Sequence, residues 1–293
     1  MQAAPSGTQG SYTGGIILMS TGVAFLSAND AVAKALTSHY SPLQILFLRN
    51  VIALPFTVLI ALVMGGRPAL KTYRPMAHLL RGVLWVSATM LFFTSFIYLG
   101  LAEATALIFV APVFITVISA LFLGEKVHTR RWLAVLFGFI GVLVVIRPGG
   151  ATFQAASLLP VATALVYALL MLSARWVDAR ETVWTLLVYL TGTAALISTF
   201  IVPLVWVPVR IEDFWLFAAI AVLGTGGMTM MTQAFRLAPA VIVAPLDYTG
   251  LIWATLLGWL IWRESPDAMT VFGAAIIIAS GVFTIFRQKG KAS

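Results

Sequence analysis

The sequence predicts an all-α polytopic membrane protein of ten transmembrane helices, arranged as two inverted five-helix repeats. Three observations lead there. Of 293 residues, 61% are hydrophobic and 10% are charged, where a soluble domain carries about a quarter charged residues; no single aqueous core could hide that much apolar surface, whereas lipid can. The apolar stretches break at charges, Pro and Gly into ten runs of roughly twenty residues, the length that crosses a bilayer. An apolar run closing in Glu, followed by a Gly-containing apolar helix, occurs at Glu125 and again at Glu264.

In chain order, residues 1–13 form a polar tail without the basic start of a cleaved signal peptide, so the next run is read as a retained first helix. The ten runs fall near 14–36, 43–64, 76–98, 103–123, 131–148, 155–174, 183–206, 214–235, 240–261 and 269–286. The longest connection, MGGRPALKTYRP near residues 64–75, leaves no room for a soluble domain. The division is a tail at 1–13, one repeat at 14–149, a second at 150–287 and a tail at 288–293. Ten spans put both termini on one side. Thirteen of the 18 Lys and Arg fall on that side, four on the other, and Arg49 within a span. Positive residues collect in cytoplasmic loops, so both termini are expected in the cytoplasm of a bacterial inner membrane. The net charge of +8 then needs no nucleic-acid partner.

Chemistry is largely excluded. There is no Cys, hence no disulfide, thiolate nucleophile or thiolate ligand. His39, His78 and His128 fall near helix ends without metal-ligand spacing. HExxH, GxSxG and Walker A patterns are missing, so no enzyme, metal, cofactor or ATP-driven pump is expected, and no segment supplies the polar lining of a channel. A five-helix repeat is odd, so its second copy enters the membrane from the opposite face, an arrangement that suits alternating access. The expected partners are membrane lipid and a small-molecule solute, with protons as a candidate coupling ion.

The run YLGLAEATALIFVAPVFITVISALFLGEKVHTRRWLAVLFGFIGVLVVIRPG, residues 98–149, resembles the drug/metabolite transporter superfamily in its EamA-like ten-helix branch, with Ala104, Pro112, Gly124, Glu125, Gly138 and Gly141 at matching positions. The second half, AFRLAPAVIVAPLDYTGLIWATLLGWLIWRES, retains Glu264 but carries Leu251 in place of the proline and Arg263 in place of the glycine. The resemblance implies a secondary transporter or exchanger of small metabolites. It also implies a cavity lined by helices 1, 3, 4, 6, 8 and 9, with helices 5 and 10 peripheral. SANDAVAKAL (27–36) and SPLQILFLRN (41–50) resemble a subgroup with an Asn-Asp and a downstream Arg in the first two helices. That subgroup includes vitamin and S-adenosylmethionine carriers as well as amino-acid exporters.

At a 1.5 Å rise per residue, Asp30 and Arg49 each lie roughly 10 Å from the outer ends of their helices, so they are expected to meet. Lys34 stands one turn above Asp30. Asp30, Lys34 and Arg49 therefore form a gate or ion pair, read first as a clamp between the two helices, next as a gate or coupling element, and last as a substrate contact. Asp247 lies roughly 10 Å deep, with Arg236 as the base that could clamp it, and Pro245 frees a backbone carbonyl beside it. Cavity candidates are Asn29, Asp30, Trp85, Phe92, Tyr98, Tyr167, Met230, Asp247, Tyr248 and Trp253; Pro112, Glu125 and Glu264 are read as structural. No catalytic residue is assigned. Apolar walls with a few polar groups suit aromatic or large apolar amino acids, or a planar vitamin; with the outward direction implied by the resemblance alone, the expected activity is amino-acid export. A vitamin or cofactor carrier of riboflavin or S-adenosylmethionine type is the alternative, and a non-transporting structural membrane protein is the reading from another class.

Overall fold

The computed structural model describes residues 9–122, 129–150, 153–178 and 180–286; Gly124 and Glu125 of the repeated motif lie outside them. The first repeat comprises α1 (Gln9–Leu36), α2 (Pro42–Gly65), α3 (Pro75–Ser95), α4 (Leu101–Ile108) with α5 (Ala111–Phe122), and α6 (Thr129–Ile146). The second comprises α7 (Leu158–Leu172), α8 (Val183–Ile201), α9 (Phe214–Leu237), α10 (Ala240–Val243) with α11 (Gly250–Trp262), and α12 (Ala268–Phe286). Local chemistry sets several starts. Ser41 accepts a hydrogen bond from the Gln44 amide ahead of Pro42, and Thr182 and Thr185 form a reciprocal capping box for α8.

Among the described residues, seven apolar runs are long enough to cross a membrane. One of them, Leu101–Leu121, contains a break, because Pro112 has no amide to continue the helical ladder. The corresponding span of the second repeat is broken more widely: Ala244–Thr249, with Pro245 in its first turn, winds into a 3-10 segment between α10 and α11. The sequence predicts ten continuous spans. The structure interrupts the fourth span of each repeat, and each interruption falls at a proline.

The packing obeys the exchange of the two repeats. Helix α1 runs along α9 as α7 runs along α3, while α2 meets α8, α4 meets α11 and α6 meets α12. Without a hydrophobic drive between helices in lipid, close backbone approach does the joining. A Cβ on Gly22 of α1 would stand 3.0 Å from the Gly227 carbonyl of α9, so side chains larger than hydrogen would force this crossing apart. Ile17, Leu59, Val63, Phe200 and Ile252 are exposed apolar side chains that face lipid in a spanning bundle. The end opposite Gln9 and Phe286, called the far end below, is filled by Leu36, Tyr40, Phe93, Phe96, Leu101 and Phe217.

Candidate functional site

A cavity of about 400 Å³ occupies the middle of the bundle, within the roughly 300–1,000 Å³ range of small-molecule sites. Both broken spans contribute to it: Thr105 and Ile108 from α4, Phe109 just past its end, Pro112 from α5, and Ala244, Asp247 and Tyr248 from the 3-10 segment. Asn29 and Asp30 come from α1, Arg49 from α2, Trp85 and Phe92 from α3, and Tyr167 from α7. Helices α6 and α12 do not line it. Arg49 in α2 and Leu190 in α8 do, adding the second and seventh spans to the lining implied by the resemblance.

The walls are mostly aromatic. Phe109 meets Tyr248 edge-on at 5.1 Å, and Arg49 stands 5.8 Å above the Trp85 ring. Asp30 accepts a hydrogen bond from Asn29 Nδ2 at 2.9 Å. Asp30 and Arg49 act on each other electrostatically, yet no ion pair within 4.0 Å joins them, which corrects the expected direct contact. The guanidinium instead lies against Gly224 of α9, where an added Cβ would stand 2.8 Å from Arg49 Nη2 and equally close to Asn29 Oδ1. Asp247 is exposed into the cavity. Its expected clamp is absent, because Arg236 lies 6.0 Å over the Trp184 ring.

Three cavity candidates stand elsewhere. Tyr98 is an exposed side chain beyond the end of α3, and Trp253 is exposed on α11. Met230 is outside the lining, and Met228, two residues earlier on α9, takes part in it. Thr89, Thr105, Thr163 and Phe109 line the cavity without having been singled out. The threonines left a faint signal as hydroxyls in apolar runs, though Thr105 and Thr163 satisfy theirs on the preceding turn.

A family model described as the EamA-like transporter family matches the chain twice, over residues 13–147 and 154–286. The chain belongs to the EamA-like transporter family. It is therefore a membrane-embedded, multi-pass secondary transporter of small metabolites in the bacterial inner membrane, and not an enzyme. The S-adenosylmethionine uptake transporter of Rickettsia prowazekii is 30% identical, covering 95% of this chain and 94% of that protein. The riboflavin transporter of Vibrio cholerae is 31% identical over 92% of both chains. The pseudopaline exporter of Pseudomonas aeruginosa is 28% identical, covering 94% and 97%. A protein of known crystal structure superposes with a TM-score of 0.65 at 19% identity, over 96% of this chain and 99% of its own, a likeness of fold.

At the far end of this EamA-like bundle, Lys34 departs from its expected place with Asp30. Its ammonium donates to Glu264 Oε2 at 2.5 Å and to the Leu99 carbonyl at 3.1 Å, and lies 5.0 Å over Trp262. Glu264, expected to be a helix terminator, thus ties the second repeat to the first. Beside it is a polar pocket of about 370 Å³ lined by Glu103, Arg147, Gln154, Glu264 and Asp267. A side-chain hydrogen bond from Arg147, then bonds from Thr270, hold the Asp267 carboxyl down at about 2.

Proposed function

We propose that this transporter carries a planar-ringed vitamin or cofactor, of the class containing S-adenosylmethionine and riboflavin, in preference to free amino acids. The observation that carries the reading is the cavity itself. Trp85, Phe92, Phe109, Tyr167 and Tyr248 offer flat apolar faces around two carboxylates and one guanidinium. Flat rings stack on such faces, and the carboxylates attract a cationic centre. Two relatives bear names from this class, which weighs against the amino-acid expectation. Relatives named for both uptake and export leave membership in the family without a direction.

The cavity reaches Leu170 and Met171 at the last turn of α7, and Ala244 near the start of the broken ninth span. With the termini in the cytoplasm, as the basic residues favour, it opens inward beneath a closed far end. Cysteines at Thr72 and Ala268 test that orientation: an impermeant reagent outside intact cells should label Ala268→Cys alone, and labelling of both rejects it.

Proteoliposomes with labelled S-adenosylmethionine, riboflavin, phenylalanine and threonine test the cargo. Flux of either ringed cofactor above both amino acids is expected; flux of the amino acids alone refutes the reading. Asp247 has no charged partner among the described residues, so it is the acid free to hold a cationic cargo or a coupling proton. Asp247→Asn should reduce flux about tenfold or more, as loss of a charge-assisted contact does, with folded yield maintained. An unchanged rate and pH profile would remove it from the site.

A further inference from the structure

We propose that Arg49 and Asn29 form the subsite for the α-amino-acid end of the cargo, which makes the preferred substrate a ringed cofactor bearing both a carboxylate and an ammonium; this rests on the ring-cofactor reading above. Arg49 is 9% exposed and Asn29 is 2% exposed, and both line the cavity. Arg49 has the Trp85 face as its neighbour and no hydrogen bond or ion pair to a described residue. Asn29 commits Nδ2 to Asp30, while its Oδ1 is buried without a donor. A buried amide oxygen without a donor is costly, and the guanidinium beside it presents its donors to the cavity. Here they stand side by side at the point where α9 has only Gly224.

Their chemistry specifies the missing partner. The guanidinium is a planar fork of donors that fits a carboxylate bidentately. Asn29 Oδ1 can only accept, so it needs an N–H or O–H. Asp30, bonded to the same Asn29, would repel a lone anion placed on Arg49. A zwitterion resolves this: its carboxylate meets Arg49 while its ammonium turns toward Asn29 Oδ1 and Asp30, and the signs alternate. A phosphate would want further cations, and among the described residues Arg49 is the one Lys or Arg in the wall. Phe92, Phe109 and Tyr167 in the same wall offer faces for the ring. S-adenosylmethionine carries both required groups and riboflavin carries neither.

Binding to the purified full-length chain separates the contributions. S-adenosylhomocysteine presents a nucleoside and an amino-acid end; 5′-methylthioadenosine presents the nucleoside without that end. The wild-type protein should bind the first about tenfold or more tightly than the second, the size of a charge-assisted bidentate contact. Arg49→Gln should collapse the gap by weakening S-adenosylhomocysteine far more than 5′-methylthioadenosine. Arg49→Lys, which keeps the charge but loses the fork, should narrow it and serves as the variant that folds if Arg49→Gln does not. Equal affinity for the two nucleosides, or a gap indifferent to Arg49, overturns the subsite and leaves the ring reading standing. Arg49-dependent binding of methionine with no binding of either nucleoside or of riboflavin keeps the subsite and overturns the ring reading. Folded protein that binds none of these probes overturns both.

Discussion

At the far end Lys34 holds Glu264 at 2.5 Å, and at the end that carries the termini His78 holds Glu181 at the same separation; in the central cavity Arg49 and Asp247 face open space instead. The two end pairs also differ from each other. His78 and the Glu181 side chain are 1% and 0% exposed, whereas Glu264 is 40% exposed. Glu181 is held by three backbone or hydroxyl donors besides the imidazole; the Glu264 carboxylate has Lys34. A buried, multiply bonded acid is a permanent tie. A half-exposed single pair between repeats can be broken and remade, which alternating access requires of whichever end is closed. Charges left open at the centre are the ones a cargo can complete.

The largest effect should come from the breakable pair. The chain has no native Cys, so Ala88→Cys in the cavity wall reports access from the outer face. Removing one member of a pair leaves the other charge uncompensated, so Glu264→Gln should raise labelling by an impermeant maleimide about tenfold. Lys34→Ala should do the same, and the double variant should add little, because both substitutions remove one interaction. Labelling that stays at the wild-type rate in all three would show that the pair does not hold the far end shut, and Phe93, Phe96 and Phe217 would be left as the seal.

Reading from sequence succeeded where one residue type carries its meaning alone. Apolar run lengths gave the spans, the repeated Glu motif pointed to the duplication, and acids within apolar runs singled out Asp30 and Asp247, which the structure places in the cavity wall. It failed where meaning depends on rotation about a helix axis. Tyr98 and Trp253 have suitable chemistry in suitable spans, yet their side chains are exposed away from the cavity; Met230 misses it while Met228 does not. Depth counting correctly set Lys34 one turn above Asp30. It could not show that Lys34 would turn to Glu264, 230 residues away in sequence, because no local pattern encodes a partner in the other repeat. Gly224, which makes room for Arg49 and Asn29, is one of 23 glycines and is unreadable without its neighbours.

The permanent pair gives the smallest and most specific effect. Glu181 lies in the connection between α7 and α8. Burial pushes its carboxyl up, but the Tyr73 amide, His78 and the Thr72 hydroxyl all bond the charged form, and the net direction is below the ordinary glutamate value. A carboxylate with a depressed folded value stabilises the fold above its unfolded value, about 4.3, and that contribution is lost as the pH falls toward the folded value. Glu181→Gln keeps the shape but removes the charge from at least three hydrogen bonds. Net losses for bonds to charged groups run about 1.5–3 kcal/mol, and the exposed Arg74 end of this cluster lowers the expectation to about 1–2 kcal/mol. In a chain of this length that corresponds to a melting shift of about 2–6 °C. Thermal unfolding of both proteins in detergent should show the gap at pH 7 and its shrinkage below about pH 4. Labelling of Ala88→Cys should be unchanged by Glu181→Gln, since this tie does not open. A gap independent of pH would mean that the carboxylate charge is not what binds the loop, and increased labelling would place His78–Glu181 among the moving contacts with Lys34–Glu264.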